Sequence, residues 1–504
     1  MPSHILTTSV IGLDAHPVHV EADISGGLPN FLIVGLPDTA VQEAKERVRS
    51  ALKHAGCDFP RTRVTVNLAP ADLKKAGTSF DLPIALAILM AQGDLPRPTH
   101  DTALFAGELG LDGTVRAVHG VLSISLLAKE CGWLDVFIPR DNASEASLIE
   151  GVRVRAAVTL RDVIQHLRGQ TKIPVEPYHS FSATHPAQVN NFSAIRGQEQ
   201  ARRALEIAAA GGHNLLMQGP PGSGKTLLAR TFPSILPLLA TNEVLELTRI
   251  YSVAGLLPNN GICLSRPFRA PHHSASIPSL VGGGTLPRPG EISLAHRGVL
   301  FLDEFLEFPR PALESLRQPL EDGRVTINRA QGTLQFPARF ILIAACNPCP
   351  CGYRTDPEHI CTCSASVMQN YRKRLSGPLL DRLDLTIEVP KVKTPELINV
   401  HDAEDSEHIR DRVQRARERQ INRYQSLHIN TNAELTSDQV RRLLKLDNAA
   451  HSLAKRAIER HHLSARAYFR LIKVSQTIAD LASSDTIQAT HFAEALQYRH
   501  LVSP

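Results

Sequence analysis

The chain has 504 residues, enough for about three domains of ordinary size. Hydrophobic residues make up 43% and charged residues 21%, and the net charge of +5 is compatible with nucleic acid without indicating it. The N-terminus lacks the basic and apolar regions of a signal peptide, and the longest apolar stretch, residues 82–90, is far shorter than the ~20 residues that span a bilayer. We therefore expect a cytoplasmic protein with no membrane partner, whose 8 cysteines are not a disulfide framework.

The first third of the chain alternates strand-like and helix-like segments. Residues 18–24 alternate apolar and polar side chains, as a half-buried strand does, and residues 38–55 have helical spacing. Residues 1–170 therefore predict an α+β domain without a phosphate-binding loop of its own. Residues 171–189 are rich in Pro and Ser and have little periodicity, which predicts a linker.

A glycine-rich segment follows an apolar strand and precedes the start of a helix. The G-x-x-x-x-G-K-T pattern of a phosphate-binding loop (P-loop) is present as Gly219-Pro220-Pro221-Gly222-Ser223-Gly224-Lys225-Thr226. The glycines allow successive backbone N–H groups to point at phosphates, and the helix N-terminus adds its positive dipole end. We expect Lys225 to reach the β- and γ-phosphates of ATP and Thr226 to ligate Mg²⁺.

A second apolar run, residues 298–302, ends in the carboxylates Asp303 and Glu304. Such a run indicates a buried parallel strand, and ligands bind at the carboxyl ends of parallel strands. We expect Asp303 to hold the water shell of Mg²⁺ and Glu304 to activate the attacking water. Together with the P-loop, the pattern predicts Mg²⁺-dependent ATP hydrolysis.

Five of the cysteines crowd into a short stretch in the second half of the chain. Cys346 belongs to a predicted buried strand, where a thiol packs as a small apolar group. The other four form two C-x-C pairs separated by turn-forming residues, a pattern that predicts a structural zinc site with His359 as a substitute ligand. The predicted zinc ligands are Cys349, Cys351, Cys361 and Cys363. The alternative is four ordinary thiols in a loop.

Several motifs resemble the YifB/ComM family of magnesium-chelatase-related AAA+ ATPases. The resemblance rests on residues 195–198 before a helix, on residues 268–274 with two histidines, and on the Gly/Pro-rich residues 281–290. Adjacent histidines do not face one way, so we expect no metal at His272-His273. The resemblance implies an α/β fold in which residues 190–395 form an AAA+ core with a mostly parallel sheet, and residues 396–504 form a helical lid.

The resemblance also implies roles for four further residues. Gln198 would border the adenine pocket, and Asn347 would be sensor 1, an amide that orients the attacking water. Arg382 would be an arginine finger supplied to the ATP of the neighbouring subunit, and Arg466 would be sensor 2, which reaches the γ-phosphate from the lid. A finger that acts between subunits implies a ring, expected to be a hexamer.

Residues 1–170 resemble the domain of ATP-dependent Lon protease. The resemblance centres on residues 75–79 and 113–120. In Lon a serine and a lysine form the catalytic dyad. Here Ser79 falls near the serine position, whereas Ser123 occupies the lysine position, so no ammonium is available to activate a nucleophile. We therefore expect a Lon-like domain that is not proteolytic.

For ComM-type members the implied activity is ATP-driven DNA unwinding and branch migration, which helps to integrate transforming DNA by homologous recombination. Two alternating segments around residues 330–332 predict a β-hairpin, which in this family projects into the pore of the ring. We expect Arg324 and Arg329 of this hairpin to contact the phosphates of single-stranded or branched DNA. Two alternatives are a chelatase-like motor subunit that remodels a protein partner and a Lon-like ATP-dependent protease.

Overall fold

The computed structural model describes residues 3–96, 102–184, 191–284, 287–329, 332–356, 358–374, 377–392, 404–427 and 429–499. The chain divides into two compact units. The first comprises Met1–Ser182 and Thr241–Leu264, and the second comprises Ala183–Ala240 and Ser265–Pro504. The predicted boundaries at 189/190 and 395/396 lie outside the described residues.

The first unit contains a mixed sheet. Its strands are β1 (Ser3–Ile11), β2 (Asp14–Ser25), β3 (Asn30–Val34), β4 (Arg63–Ala69), β5 (Ala103–Phe105), β6 (Glu108–Leu109), β7 (Val115–Arg116), β8 (Asp135–Pro139) and β9 (Arg153–Ala157). The strand order is β3-β4-β2-β1-β5-β8-β9, with β1–β2 and β2–β4 antiparallel and the other pairs parallel. β6 and β7 form a separate ribbon. This mixture of directions, with the helices that pack on the sheet, gives the α+β architecture predicted for this part of the chain.

Six helices belong to the described part of the first unit. They are Thr39–His54, Asp81–Gln92, Val121–Glu130, Ala143–Ala146, Leu160–Leu167 and Thr241–Ala254. The first begins after Asp38, whose carboxylate accepts a hydrogen bond from the N–H of Val41 at 2.9 Å and so caps the helix. The second is apolar around its circumference and fully buried from Leu82 to Leu89, so it forms the centre of this unit's core.

The segment Thr241–Leu264, here called the inserted segment, lies between two parts of the second unit in sequence. The prediction placed it in the AAA+ core of residues 190–395, but it folds with the first unit. The physical reason is a buried polar cluster. The Ser252 hydroxyl donates to the carboxylate of Glu145, which also accepts from the N–H of Leu122 at 2.7 Å. Because burial raises the pKa of Glu145, these donors are needed to hold its carboxyl group inside the unit.

The inserted segment also reaches Ser123, the residue predicted to stand at the lysine position of the Lon dyad. The Arg249 guanidinium donates to the Leu13 carbonyl at 2.7 Å and to the Ser123 hydroxyl oxygen at 3.0 Å. The Ser123 hydroxyl itself donates to the Leu13 carbonyl at 2.6 Å. An arginine stays protonated and cannot serve as a base, so these contacts give Ser123 a structural role.

The second unit is built on a parallel sheet. Its strands are β10 (Leu215–Gln218), β11 (Phe268–Arg269), β12 (Gly282–Gly283), β13 (Arg288–Pro289), β14 (Val299–Leu302), β15 (Arg324–Arg329), β16 (Gly332–Pro337), β17 (Ile341–Cys346) and β18 (Leu385–Glu388). Five of them run parallel in the order β11-β14-β17-β10-β18. β12–β13 and β15–β16 are separate antiparallel ribbons. The predicted α/β class with a mostly parallel sheet is confirmed.

Helices surround this sheet and make up the C-terminal part of the second unit. They are Glu199–Gly211, Lys225–Thr231, Ile277–Val281, Glu291–Leu294, Arg310–Ser315, Arg317–Asp322, Ala365–Arg372, Gly377–Leu380, Ser406–Arg423, Ser437–Leu443, Asn448–His461, Ala465–Leu481 and Ala489–Gln497. The last five give the helical C-terminus that was predicted. Within the described ranges, none of the helices combines the length and the apolar character that a bilayer crossing requires.

A buried polar chain joins the C-terminal helices to the parallel sheet. The ring of His213 is fully buried, with Nδ1 3.4 Å from a carboxylate oxygen of Asp384 and Nε2 2.8 Å from the hydroxyl of Thr477. Burial opposes ionisation of Asp384, but the nearby charge of Arg470 and the hydrogen bond from His213 hold its pKa below the ordinary value. The helix Ala465–Leu481 is therefore fixed to the residue that precedes β18.

We predict that Ser252→Ala destabilises the first unit by about 1–3 kcal/mol, because the buried Glu145 carboxylate loses a donor. Calorimetry of the full chain should show an unfolding transition at a lower temperature. Ser50→Ala is the matched control, since the Ser50 hydroxyl bonds to the Leu111 carbonyl at an exposed site of the same unit. Equal effects of the two substitutions would contradict the role given to Ser252.

Candidate nucleotide-binding site

Three neighbouring strands of the parallel sheet end at one edge. Gln218, the last residue of β10, lies opposite Cys346 of β17, and Leu302, the last residue of β14, lies opposite Ala344 of β17. The residues that follow these strands are therefore brought together at the carboxyl ends of the strands, where parallel sheets bind their ligands. They include the P-loop, the carboxylates Asp303 and Glu304, and Asn347.

Lys225 occupies the centre of the P-loop. Its ammonium is buried and donates to the carbonyls of Gly219 at 2.7 Å and Pro220 at 2.8 Å, and it lies 3.4 Å from the amide oxygen of Asn347. Burial lowers the pKa of Lys225. A Cβ at Gly219 would lie 2.2 Å from the carbonyl oxygen of Val389, so only glycine fits at the start of the loop.

Thr226 and Asp303 form an oxygen-rich pair at the same edge. The Thr226 hydroxyl donates to the Asp303 carboxylate at 2.8 Å. The other oxygen of Asp303 accepts from the N–H of Glu304 at 2.9 Å, with Glu304 in a left-handed backbone conformation at φ 49°. A hydroxyl and a carboxylate are hard donors that suit Mg²⁺, which is bound by few protein oxygens and keeps several waters. These residues fit a Mg²⁺ ion, whose charge would stabilise the phosphates during hydrolysis.

His273 contacts Glu304, an arrangement that sequence reasoning missed. Its Nδ1 lies 3.1 Å from a carboxylate oxygen of Glu304, whereas Nδ1 of its neighbour His272 lies 2.8 Å from the hydroxyl of Ser274. The centroids of the two imidazole rings are 4.0 Å apart. The two histidines follow β11, which runs parallel to β14. The sequence gives little indication of this contact, because β11 has only two residues and is not part of an apolar run.

Gln198 lies beside the P-loop. Its side-chain amide donates to the carbonyl of Ser223 at 2.6 Å and to that of Pro390 at 3.2 Å. The residue itself has a left-handed backbone at φ 53°, immediately before the helix Glu199–Gly211. Its role at the adenine pocket stays a prediction, and its contact with the loop places it next to the phosphate site.

The two arginines assigned to finger and sensor 2 converge on one carboxylate. Arg382 is largely buried, donates to the Pro378 carbonyl at 2.6 Å and pairs with Glu321. Arg466 donates to the other oxygen of Glu321 at 2.9 Å. Both guanidinium groups are thus held by the same carboxylate. Sequence reasoning missed Glu321, which lies near the end of the short helix Arg317–Asp322 and belongs to no motif.

Four sulfur atoms come together in the loop that follows Asn347. The Sγ of Cys349 lies 3.3 Å from that of Cys351 and 3.7 Å from that of Cys361, and the Sγ atoms of Cys351 and Cys361 are 3.6 Å apart. With Cys363, all four Sγ atoms lie within 4.8 Å of one another. Tetrahedral zinc with bonds of about 2.3 Å separates its sulfurs by about 3.8 Å, so the cluster fits zinc.

The thiols of this cluster differ in how easily they ionise. The N–H of Tyr353 lowers the pKa of the Cys351 thiol to about 6, whereas burial raises that of Cys349 to about 12. His359 is not one of the clustered ligands; its ring stacks on Tyr353 with centroids 4.8 Å apart. Cys346 is buried in β17, as expected for a packed thiol, and burial raises its pKa to about 12.

The predicted hairpin consists of β15 and β16, which pair with each other. Arg324 at its base lies opposite Pro337, is exposed, and donates to the side chain of Gln335 at 3.2 Å. Arg329 ends β15 and lies opposite Gly332. Residues 330–331 and the side chain of Arg329 lie outside the described part of the chain.

Hydrolysis of a nucleoside triphosphate is the chemistry that this sheet edge supports, and the strand order with a helical C-terminus is that of an AAA+ ATPase. Family models described as magnesium chelatase subunit ChlI match residues 191–397 and 20–142, and one for the C-terminal part of that subunit matches residues 403–499. The chain is similar to the competence protein ComM of Haemophilus influenzae, with 46% identity over 505 residues that cover 99% of this chain and 97% of ComM.

A second relative is the uncharacterized protein YifB of Escherichia coli, with 43% identity over 499 residues, 99% of this chain and 97% of YifB. The magnesium-chelatase 38 kDa subunit of Rhodobacter capsulatus is 28% identical over 191 residues, 34% of this chain and 54% of that subunit. The chain belongs to the ComM/YifB family of magnesium-chelatase-related AAA+ ATPases, and this membership implies ATP and Mg²⁺ as its cofactors.

We predict that His273→Ala raises the basal kcat for ATP by about 2–10-fold with little change in KM. The reason is that Glu304 must leave His273 before it can face the attacking water, and a hydrogen bond of about 0.5–1.5 kcal/mol opposes that movement. Steady-state ATPase kinetics measure both constants. His272→Ala is the matched control, because His272 bonds to Ser274 instead. An unchanged or lowered kcat in the His273 variant would contradict a restraining contact.

Proposed function

We propose that this protein is a ring-forming, Mg²⁺-dependent AAA+ ATPase that unwinds DNA and drives branch migration during homologous recombination of transforming DNA. The observation that carries the DNA part is the β15–β16 hairpin, which stands outside the parallel sheet and presents polar groups along one face. The similarity to ComM, which is named a competence protein, supports it, since competence is the capacity of a bacterium to take up DNA.

The alternation of side chains along β15 gives the hairpin its two faces. Val325 and Ile327 are buried, whereas Arg324 and Asn328 are exposed on the opposite face. The Asn328 amide oxygen accepts from the Thr333 hydroxyl at 3.0 Å, so polar groups continue onto β16. In a ring, six copies of such a face would attract a phosphate backbone irrespective of base sequence. The hairpin thus offers a surface suited to a polyanion.

We predict that replacing both Arg324 and Arg329 by Ala weakens the binding of single-stranded and forked DNA and slows strand separation, while basal ATP hydrolysis persists. Each cation that no longer neutralises a phosphate should also reduce the slope of log K against log salt by about 0.7 for single strands. Arg415→Ala is the matched control, because it removes a positive charge from the exposed face of Ser406–Arg423. Unwinding at the parental rate would contradict a role of the hairpin in gripping DNA.

The ring assignment rests on Arg382. Its guanidinium group is held by Glu321, a contact that suits a role toward an ATP on a neighbouring subunit. Glu321 also binds Arg466, and a planar guanidinium can contact spreading phosphoryl charge with two donors. We propose that Arg382 acts between subunits of a hexamer and that Arg466 reaches the γ-phosphate from the lid.

Mixed rings test the arginine assignment. We predict that Arg382→Ala protein binds ATP but hydrolyses it on the order of 10³-fold more slowly or worse. Mixing it with Lys225→Ala protein should restore part of the turnover, because some interfaces then combine an intact P-loop with an intact finger. The control is the same mixture in which the Lys225→Ala chain also carries Arg382→Ala. If mixed rings form and no turnover returns, Arg382 acts within its own chain.

We further propose that Cys349, Cys351, Cys361 and Cys363 hold one structural Zn²⁺ per chain. The support is the set of Sγ distances, which approach those of a tetrahedral thiolate site, and the donor set itself, since four thiolates favour zinc.

A chelatase-like motor that remodels a protein partner is the second candidate. It is favoured by the family models, which are all described by a chelatase subunit. The chelatase subunit of R. capsulatus, however, matches only 34% of this chain. A protein that binds no DNA at low salt would make this second function the better account.

A further inference from the structure

The cysteine loop, residues 349–363, touches the P-loop. Gly352 lies between the two cysteine pairs, is buried, and has a left-handed backbone at φ 84°. A Cβ placed on it would lie 2.7 Å from Cδ and 2.8 Å from Cγ of Pro221, the second proline of the P-loop. The backbone of the cysteine loop therefore packs directly against the phosphate-binding loop, at a position that only glycine can occupy without displacement.

The turn that makes this contact is shaped by the cysteines. The N–H of Gly352 donates to the carbonyl of Cys349 at 2.9 Å, and the Cys349 side chain is fully buried. Cys351 follows on the other arm of the turn, with its sulfur 3.3 Å from that of Cys349. A metal bound to both sulfurs would close this turn and fix Gly352 where it meets Pro221.

Little apolar packing is available to fix that turn. Between β17 and the helix Ala365–Arg372 the described residues form no helix or strand, and the large apolar side chain of Ile360 is 90% exposed. The Lys391 ammonium ties the loop to the residues after β18 through ion pairs with Asp356 at 2.7 Å and Glu358 at 3.1 Å. Ile360 therefore adds little to the order of this loop, which ligation of a metal would increase.

The P-loop is also held by the residues that precede the cysteine loop. The N–H of Gly219 donates to the carbonyl of Cys346 at 3.2 Å, and the Lys225 ammonium lies 3.4 Å from the amide oxygen of Asn347. The cysteine loop begins two residues after Asn347. Residues 346–352 therefore contact the first glycine, the second proline and the lysine of the P-loop in one continuous run.

We propose that the metal-closed cysteine loop is a brace for the P-loop, so that the affinity for ATP depends on a bound metal that does not itself touch the nucleotide. The proposal rests on the zinc site of the proposed function and adds a positioning role for the metal, which acts through Gly352 on Pro221. Loss of the metal loosens the turn, and the phosphate-binding N–H groups lose their fixed orientation.

The test uses the full chain purified without a histidine tag, with zinc measured by mass spectrometry and ATP affinity by a fluorescent ATP analogue. A zinc-selective chelator should raise the Kd for the analogue by about tenfold or more, equivalent to about 1.4 kcal/mol, and added zinc should restore it. Cys361→Ser with Cys363→Ser should lose the zinc and show the same rise. Cys131→Ser, which removes an exposed thiol of the first unit, should change neither quantity.

The variant Gly352→Ala tests the contact with Pro221 independently of metal binding. This variant keeps all four thiols, so it should retain one zinc per chain, yet its methyl group collides with Pro221 and should weaken ATP binding. If the parent protein holds no zinc, the metal site of the proposed function fails and the brace fails with it. If zinc is present but its removal and Gly352→Ala both leave the Kd unchanged, the metal site stands and the brace is wrong.

Discussion

The common edge at which adjacent parallel strands end is the constraint on which the rest of this structure depends. Because β10, β14 and β17 stop at one edge of the sheet, Lys225 meets Asn347 and Thr226 meets Asp303, although the partners are far apart in sequence. The buried ammonium of Lys225 is tolerated because backbone carbonyls surround it. Each of these side chains is then available to a different part of Mg²⁺–ATP.

Three further parts of the chain, outside the parallel sheet, differ in how they relate to this site. Residues 346–352 form a continuous run along the P-loop, and Glu321 holds the side chains of Arg382 and Arg466 together. The inserted segment follows the helix Lys225–Thr231 in sequence but folds as part of the first unit. The backbone therefore leaves the nucleotide-binding unit after residue 240, forms buried hydrogen bonds within the N-terminal unit, and returns at residue 265.

The sequence predicted the parts of the site that follow long apolar strands. A long apolar run indicates a buried strand, and the end of the run shows where that strand ends. The sequence did not predict the contact between His273 and Glu304, since the strand before His273 has two residues, and it did not predict the inserted segment, since the Ser252–Glu145 contact joins residues with no local signal. The segment after β14 forms two short helices, Arg310–Ser315 and Arg317–Asp322, because Pro319 lacks the N–H that one continuous helix needs. These features of the structure depend on contacts between residues far apart in sequence and on one proline, which local periodicity does not reveal.

A motor that works on DNA must couple hydrolysis to the presence of DNA, whereas a motor for a protein partner need not. The most direct measurement is the ATP turnover of the full-length protein at low salt without DNA and with single-stranded, forked and branched DNA. Our account predicts that turnover rises with each DNA, most strongly with the branched form, and that Lys225→Ala abolishes it. Turnover that is the same with and without every DNA, in a protein that binds none of them, would contradict it.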